Sequence, residues 1–105
     1  MASGKLGTAD LVAATATLLY TVPASTLAIC NVRFANRNKV ETEIRLAIGT
    51  GANPAAADYL TYDQTLPANG IIEEMGIVCS AGEKIWARAV LANVTVRVHG
   101  YEEAV

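Results

Sequence analysis

Apolar and polar residues alternate along most of this chain with a period of two. From Thr26 to Ala35, Ala28, Cys30, Val32 and Phe34 share one face, and Leu27, Ile29, Asn31 and Arg33 share the other. From Val40 to Ile48, Val40, Thr42, Ile44, Leu46 and Ile48 oppose Glu41, Glu43, Arg45 and Ala47. Near the end, Ile85, Ala87, Ala89 and Leu91 oppose Trp86, Arg88 and Val90. Val94, Val96 and Val98 then oppose Thr95, Arg97, His99 and Tyr101. Alternation of this kind between turn residues predicts strands with one buried face. No helix-period segment of similar strength competes with it.

Turn signatures separate the runs: Pro23-Ala24-Ser25, Asn36 to Lys39, Leu66 to Gly70 and Ser80 to Glu83. Thr15 to Val22 is a β-branched run, Tyr59 to Asp63 a short strand, and Ile71 to Cys79 a strand broken at Gly76. Gly49 to Asp58 is the one long loop, with a single helical turn expected at Ala55 to Ala57. Residues 1–12 read as an N-terminal arm or an edge strand. With few apolar side chains, an ordered arm must borrow backbone partners from its own sheet or a neighbour, and a neighbouring subunit is the expectation. The count is about eight strands at roughly ten-residue spacing. It predicts an all-β fold, an antiparallel β-sandwich or jelly roll with an extended N-terminal arm. Val32, Phe34, Ile44, Leu46, Ile48, Ile85, Val96 and Val98 are expected in the common core. The last two strands are expected to form a hairpin around Ala92-Asn93, which sets Arg88 opposite Arg97 and Trp86 opposite His99.

The length of 105 residues gives room for one domain, so residues 1–105 are read as a single sandwich. Only 17% of residues are charged although 52% are hydrophobic, against roughly 25% charged in ordinary soluble domains. Such a surface is expected to be covered by partners, including copies of itself. A net charge of −2 without a basic run argues against nucleic acid. No apolar run reaches the roughly 18 residues of a membrane span. Asp10 and the threonines interrupt what would be the apolar region of a signal peptide. Without an export signal, Cys30 and Cys79 are expected to be free buried thiols, and Asn93 a turn residue rather than a glycosylation site.

The inventory for catalysis is thin. His99 is the one histidine, the cysteines lack Cys-x-x-Cys spacing, and Glu73 and Glu74 fall on opposite faces of one strand. Asp58, Asp63 and Glu102-Glu103 do not have calcium-loop spacing. No catalytic, cofactor or metal residue is assigned, and a non-enzymatic role is expected. The outward face of the last two strands says more. Arginines directly opposed across strands repel unless carboxylates meet them, from Glu102, Glu103 or another chain. Trp and Arg are also enriched at interface hot spots. Trp86, Arg88, Arg97 and His99, with Leu27 and Ile29 on the nominally polar face of their strand, are therefore the candidate interface residues.

Several positions together resemble a family of small tailed-phage virion proteins. The pattern runs through Leu66, Pro67, Gly70 and Gly76, then Ala81-Gly82-Glu83, Ile85, Trp86, Arg88 and Ala89. It continues through Asn93, Val94, Val96, Val98, Gly100 and Glu102. Leu18, Tyr20 to Ala24, Asn36-Arg37 and Asp58-Tyr59 extend it over nearly the whole chain. The resemblance implies a structural virion component, a capsid decoration (cement) protein or an accessory of the tail, collar or baseplate. It also implies a sandwich or jelly-roll domain that assembles in the host cytoplasm. A homo-oligomer, expected as a trimer, and contacts with a major capsid protein or other virion proteins follow from it. A carbohydrate-binding module for host-surface recognition is the competing expectation. Trp86, Tyr101, Tyr59 and Tyr62 supply its aromatic rings, of which only Trp86 and Tyr101 share the expected hairpin.

Overall fold

The computed structural model describes residues 2–105; Met1, the first residue of the expected arm, lies outside the described residues. Eight strands follow in order among the described residues: β1 (Ser3–Asp10), β2 (Thr17–Thr21), β3 (Thr26–Asn36), β4 (Thr42–Gly49), β5 (Tyr59–Leu66), β6 (Ile71–Cys79), β7 (Lys84–Ala89) and β8 (Val94–Ala104). One 3-10 turn, Ala56–Asp58, lies in the long loop. The strands make two antiparallel four-stranded sheets, ordered β1-β8-β3-β6 and β2-β7-β4-β5. Only β4 and β5 are neighbours both in sequence and in a sheet; each other connection carries the chain from one sheet to the other.

The two sheets share one buried cluster. Cys30, Val32, Phe34, Val94, Val96 and Val98 enter it from the first sheet, and Ile44, Leu46, Leu66, Ile85, Ala87 and Ala89 from the second. The alternation in β3 and β8 thus maps directly onto burial. Seven of the expected core residues are fully buried, while Ile48 is half-buried at the margin. Val40, expected inward, is exposed because β4 begins two residues later. Both cysteines are free and buried.

One expectation needs correction. β7 and β8 do not form a hairpin. β7 pairs with β2 and β4, and β8 pairs with β1 and β3, so residues 90–93 cross the sandwich between sheets. Arg88 therefore faces Arg45, and Arg97 faces Arg33. Period-2 alternation reports which face is buried but not which strand lies alongside, and a four-residue connection suits either route. The N-terminal segment takes the second of its two expected forms. Residues 3–10 are an edge strand laid on β8 of their own chain.

Close approach of strands depends on Gly100, which lies in β8 between Gly4 and Cys30. Its φ is +154°, and an added β-carbon would run into the carbonyl oxygen of Ile29. Asn36 holds the end of the sandwich where residues 37–41, 67–70 and 90–93 turn. It is 3% exposed. Its Nδ2 donates to the carbonyl oxygens of Val40 (2.9 Å), Leu66 (3.3 Å) and Pro67 (3.0 Å). Its Oδ1 accepts from the backbone and side-chain nitrogens of Asn38, each at 2.9 Å. Asn38 Nδ2 reaches on to the carbonyl oxygen of Ala92 at 2.8 Å.

Replacing Asn36 by Leu strands several buried acceptors and is expected to lower unfolding free energy by about 2–3 kcal/mol, read by denaturant titration. Gly100→Ala should cost about 2 kcal/mol or more in the same assay, because the β3 backbone has to move. Val96→Asp buries an unpaired charge and should abolish soluble expression.

Candidate functional site: the outer faces of the two sheets

The outer face of the first sheet is organised in rows that run across its strands. One row reads Ser3, Tyr101, Ile29 and Val78. The row beside it places Lys5, His99 and Asn31 together. A third reads Thr8, Arg97, Arg33 and Glu73. Four of the six candidate interface residues, Leu27, Ile29, Arg97 and His99, are thus gathered on this face. Tyr101, Val78 and the exposed Met75 and Ile71 add apolar surface to it and to its β6 edge. His99 Nε2 lies 3.7 Å from Glu73 Oε2, and among the described residues its Nδ1 is buried without a hydrogen-bond partner. Arg33 and Arg97 face each other directly, and among the described residues neither forms an ion pair.

Trp86 and Arg88 lie on the opposite side of the sandwich, on the outer face of the second sheet. Trp86 stands between Leu18 of β2 and Ala47 of β4. It is only 5% exposed. Ala16, Pro54 and Tyr59 close around it at a cleft of about 10 Å³, room for about one water. The long loop that brings Pro54 is tied down by Lys84 Nζ, which donates to the carbonyl oxygen of Gly51 at 3.1 Å. Trp86 is thus packed by its own chain although its strand phase points outward. The pairing of Trp86 with Tyr101 as one aromatic surface is corrected, since they belong to different sheets.

A cluster that the alternation pattern does not reveal lies beside Trp86. Arg45 donates to Asp63 through Nε at 2.6 Å and NH2 at 3.2 Å. Its guanidinium also lies 4.0 Å from the centre of the Tyr62 ring, and Tyr62 meets Tyr59 edge-on at 5.0 Å. The Arg45 hydrogen bonds hold the Asp63 carboxyl below the usual carboxylate range. Asp63 reaches Arg45 from a left-handed position, φ +53°, at an irregularity in the β4–β5 register. Arg88 faces Arg45 across β4–β7 and itself makes no ion pair among the described residues.

Between the sheets, Tyr20 donates from its hydroxyl to Glu102 Oε2 at 2.6 Å, and Ala2 N donates to Oε1 at 3.1 Å. Burial pushes the Tyr20 hydroxyl up, and the Glu102 carboxylate adds to this. The Tyr20 bond, with the Ala2 amide, holds Glu102 below the ordinary range. The neighbouring Cys30 sulfur and burial push the Cys79 thiol up. Among the described residues no cluster of three His, Cys, Asp or Glu side chains is placed to hold a metal ion, and no helix is long and apolar enough to cross a membrane.

No family model and no curated protein matches the chain. Among solved structures, it is similar to the crystal structure of a pentameric capsid protein isolated from metagenomic phage sequences, with a TM-score of 0.44 and 15% identity. The match covers 92% of this chain and 64% of that one.

Trp86→Ala opens a cavity beneath the loop and should destabilise the isolated protein by about 3–5 kcal/mol in denaturant titration. The Glu102 carboxyl is depressed in the folded state, so its stabilisation is present above the unfolded value and lost as pH falls through the folded one. The stability difference between wild type and Tyr20→Phe should therefore shrink as pH drops below about 4.3. Thermal melts across acid pH check this; a difference that stays constant contradicts it.

Proposed function

We propose that this chain is a non-enzymatic structural component of a tailed-phage virion, held in place by protein–protein contacts. Capsid decoration is the place we assign it, as a cement protein contacting the major capsid protein; tail, collar and baseplate positions are the alternatives. We further propose self-association, with a trimer as the form the family resemblance implies. The observation that carries this reading is the strand order. β1-β8-β3-β6 against β2-β7-β4-β5 corresponds to the double Greek-key winding of a jelly roll, an architecture of viral capsid and lectin domains among others.

The residues of the family pattern support it, because they do specific work in this winding. Gly76, Gly82 and Asn93 take left-handed backbone conformations where strands bulge or turn. Gly100 admits β3 against β8, and Trp86 fills the space beneath the long loop. The mixture of Arg, Tyr, Met and aliphatic side chains on the first sheet's outer face suits a protein interface.

Mass spectrometry of virions grown from the genome that encodes this chain, followed by electron cryo-microscopy, tests the proposal. The chain should be present at a stoichiometry set by the particle's symmetry, with its density on the capsid exterior. Its absence from purified virions would overturn the virion role, and density on the tail would move it to the alternative site.

A second reading is favoured by one observation. Tyr59, Tyr62, Arg45 and Asp63 gather on one outer face, and the Tyr62 ring is 59% exposed. An exposed ring beside a carboxylate and a guanidinium suits a sugar ring and its hydroxyls. A glycan screen checks it: saturable binding abolished by Tyr62→Ala supports recognition of a host surface, and no binding at high protein concentration eliminates it.

A further inference from the structure

We infer that copies of this chain associate head to tail, with the Arg33–Arg97 pair of one copy seated against Glu41 and Glu43 of the next. The inference rests on the self-association proposed above and gives it a contact.

The basic half is the third row of the first sheet. Arg33 and Arg97 are both exposed and directly opposed on β3 and β8. Like charges set opposite one another on a sheet repel, and anions placed against them relieve the repulsion. Among the described residues neither arginine forms an ion pair, although Glu73 stands opposite Arg33. Asp10 is taken by Arg37 and Asp63 by Arg45, while Glu73, next in the row, lies within ion-pair range of His99. Leu27, Ile29 and Tyr101 continue the same face as apolar surface.

The acidic half lies on the opposite side of the sandwich. Glu41 and Glu43 flank Thr42 at the start of β4 and border an open groove of about 250 Å³. Thr65, Val90 and Leu91 complete its lining. Both glutamates are exposed, and among the described residues neither joins an ion pair. Residues two apart along an extended chain lie roughly 7 Å from each other on one face. Side chains opposed across two strands are about 5 Å apart at their β-carbons. Two arginine forks on flexible stems can therefore each meet one carboxylate, in the fork-to-carboxylate geometry that guanidinium favours. Thr65 and Val90 offer a hydroxyl and an apolar wall to the arginine stems.

A surface pair alone contributes little. Two pairs closed together over apolar surface, with water excluded, contribute more. The two patches differ and lie on opposite sheets. The contact is heterologous, satisfied in a closed ring or in an open series of copies.

Sedimentation velocity on purified protein at tens of micromolar, in low and high salt, tests it. Wild type should sediment above monomer mass in low salt and shift toward monomer as salt screens the pairs. The doubly substituted Arg33→Glu/Arg97→Glu and Glu41→Lys/Glu43→Lys chains should each lose about tenfold or more in self-affinity, since each then carries two patches of one sign. Mixed in equal amounts, the two variants should associate again, because each patch then finds its opposite. All four positions are exposed, and unchanged circular dichroism and melting temperature confirm that the variants fold. Monomeric wild type overturns the inference while leaving the virion role to the particle experiment. So does a wild-type oligomer that the substitutions leave intact, or a variant mixture that stays monomeric.

Discussion

The buried amide of Asn36 is the interaction on which the winding of this chain depends. Because all but one connection passes between the sheets, much of the backbone leaves a ladder at the sandwich ends and loses its hydrogen-bond partners there. At one end, Asn36 supplies donors to carbonyl oxygens on two separate connections and accepts from a third residue, Asn38, which reaches a further connection. The net gain of each bond is modest, but leaving a buried acceptor bare costs about 1–3 kcal/mol. The amide thus joins the approach to β4 and the end of β5 to the end of β3 in one polar knot, which Asn38 extends to the connection before β8. A carboxylate or an apolar residue of similar size cannot both donate and accept in the same way.

The charges follow a second constraint. Each sheet carries an arginine pair opposed across neighbouring strands, Arg33 with Arg97 and Arg45 with Arg88. The second pair is half resolved within the chain, where Asp63 grips Arg45 through two nitrogens and the Tyr62 ring covers its guanidinium. Neither arginine of the first pair forms an ion pair among the described residues. The two faces therefore differ: one answers one of its two arginines within the chain, beside a covered tryptophan, and the other sets both of its arginines among aliphatic side chains without an ion pair among the described residues.

Much of the fold was legible in the residue pattern, since β3 shows its buried face in strict alternation and β4, β7 and β8 do so over part of their length. What the pattern could not carry was adjacency. Leu91 and Val94 flank a short polar connection and read as a hairpin, yet the chain steps there from one sheet to the other with Asn93 in a left-handed conformation. The cover over Trp86 was hidden for a related reason: its phase does point outward, but a distant loop folds over it, and phase is blind to what covers a face. Asn36 read as part of a polar turn because nothing local distinguishes a solvated asparagine from one that serves buried carbonyls. The Arg45–Asp63 contact depends on a register irregularity in β5 that no alternation rule anticipates.

The position of β8 has a consequence for the order in which the molecule acquires its structure. β8 lies between β1 and β3, so the first strand of the chain has no ladder until the last has arrived. Local pairing can bring β4 to β5 early, whereas closing β1 onto β8 brings together segments separated by nearly the whole sequence. Folds dominated by such non-local pairings cross their barriers slowly. During synthesis β1 must therefore wait, extended and unpaired, with the aliphatic faces of β3 and β6 only partly covered. Its two glycines and small polar residues Ser3 and Thr8, rather than a run of large apolar side chains, suit a segment with that delay: they leave little for another chain to seize before β8 closes the sheet.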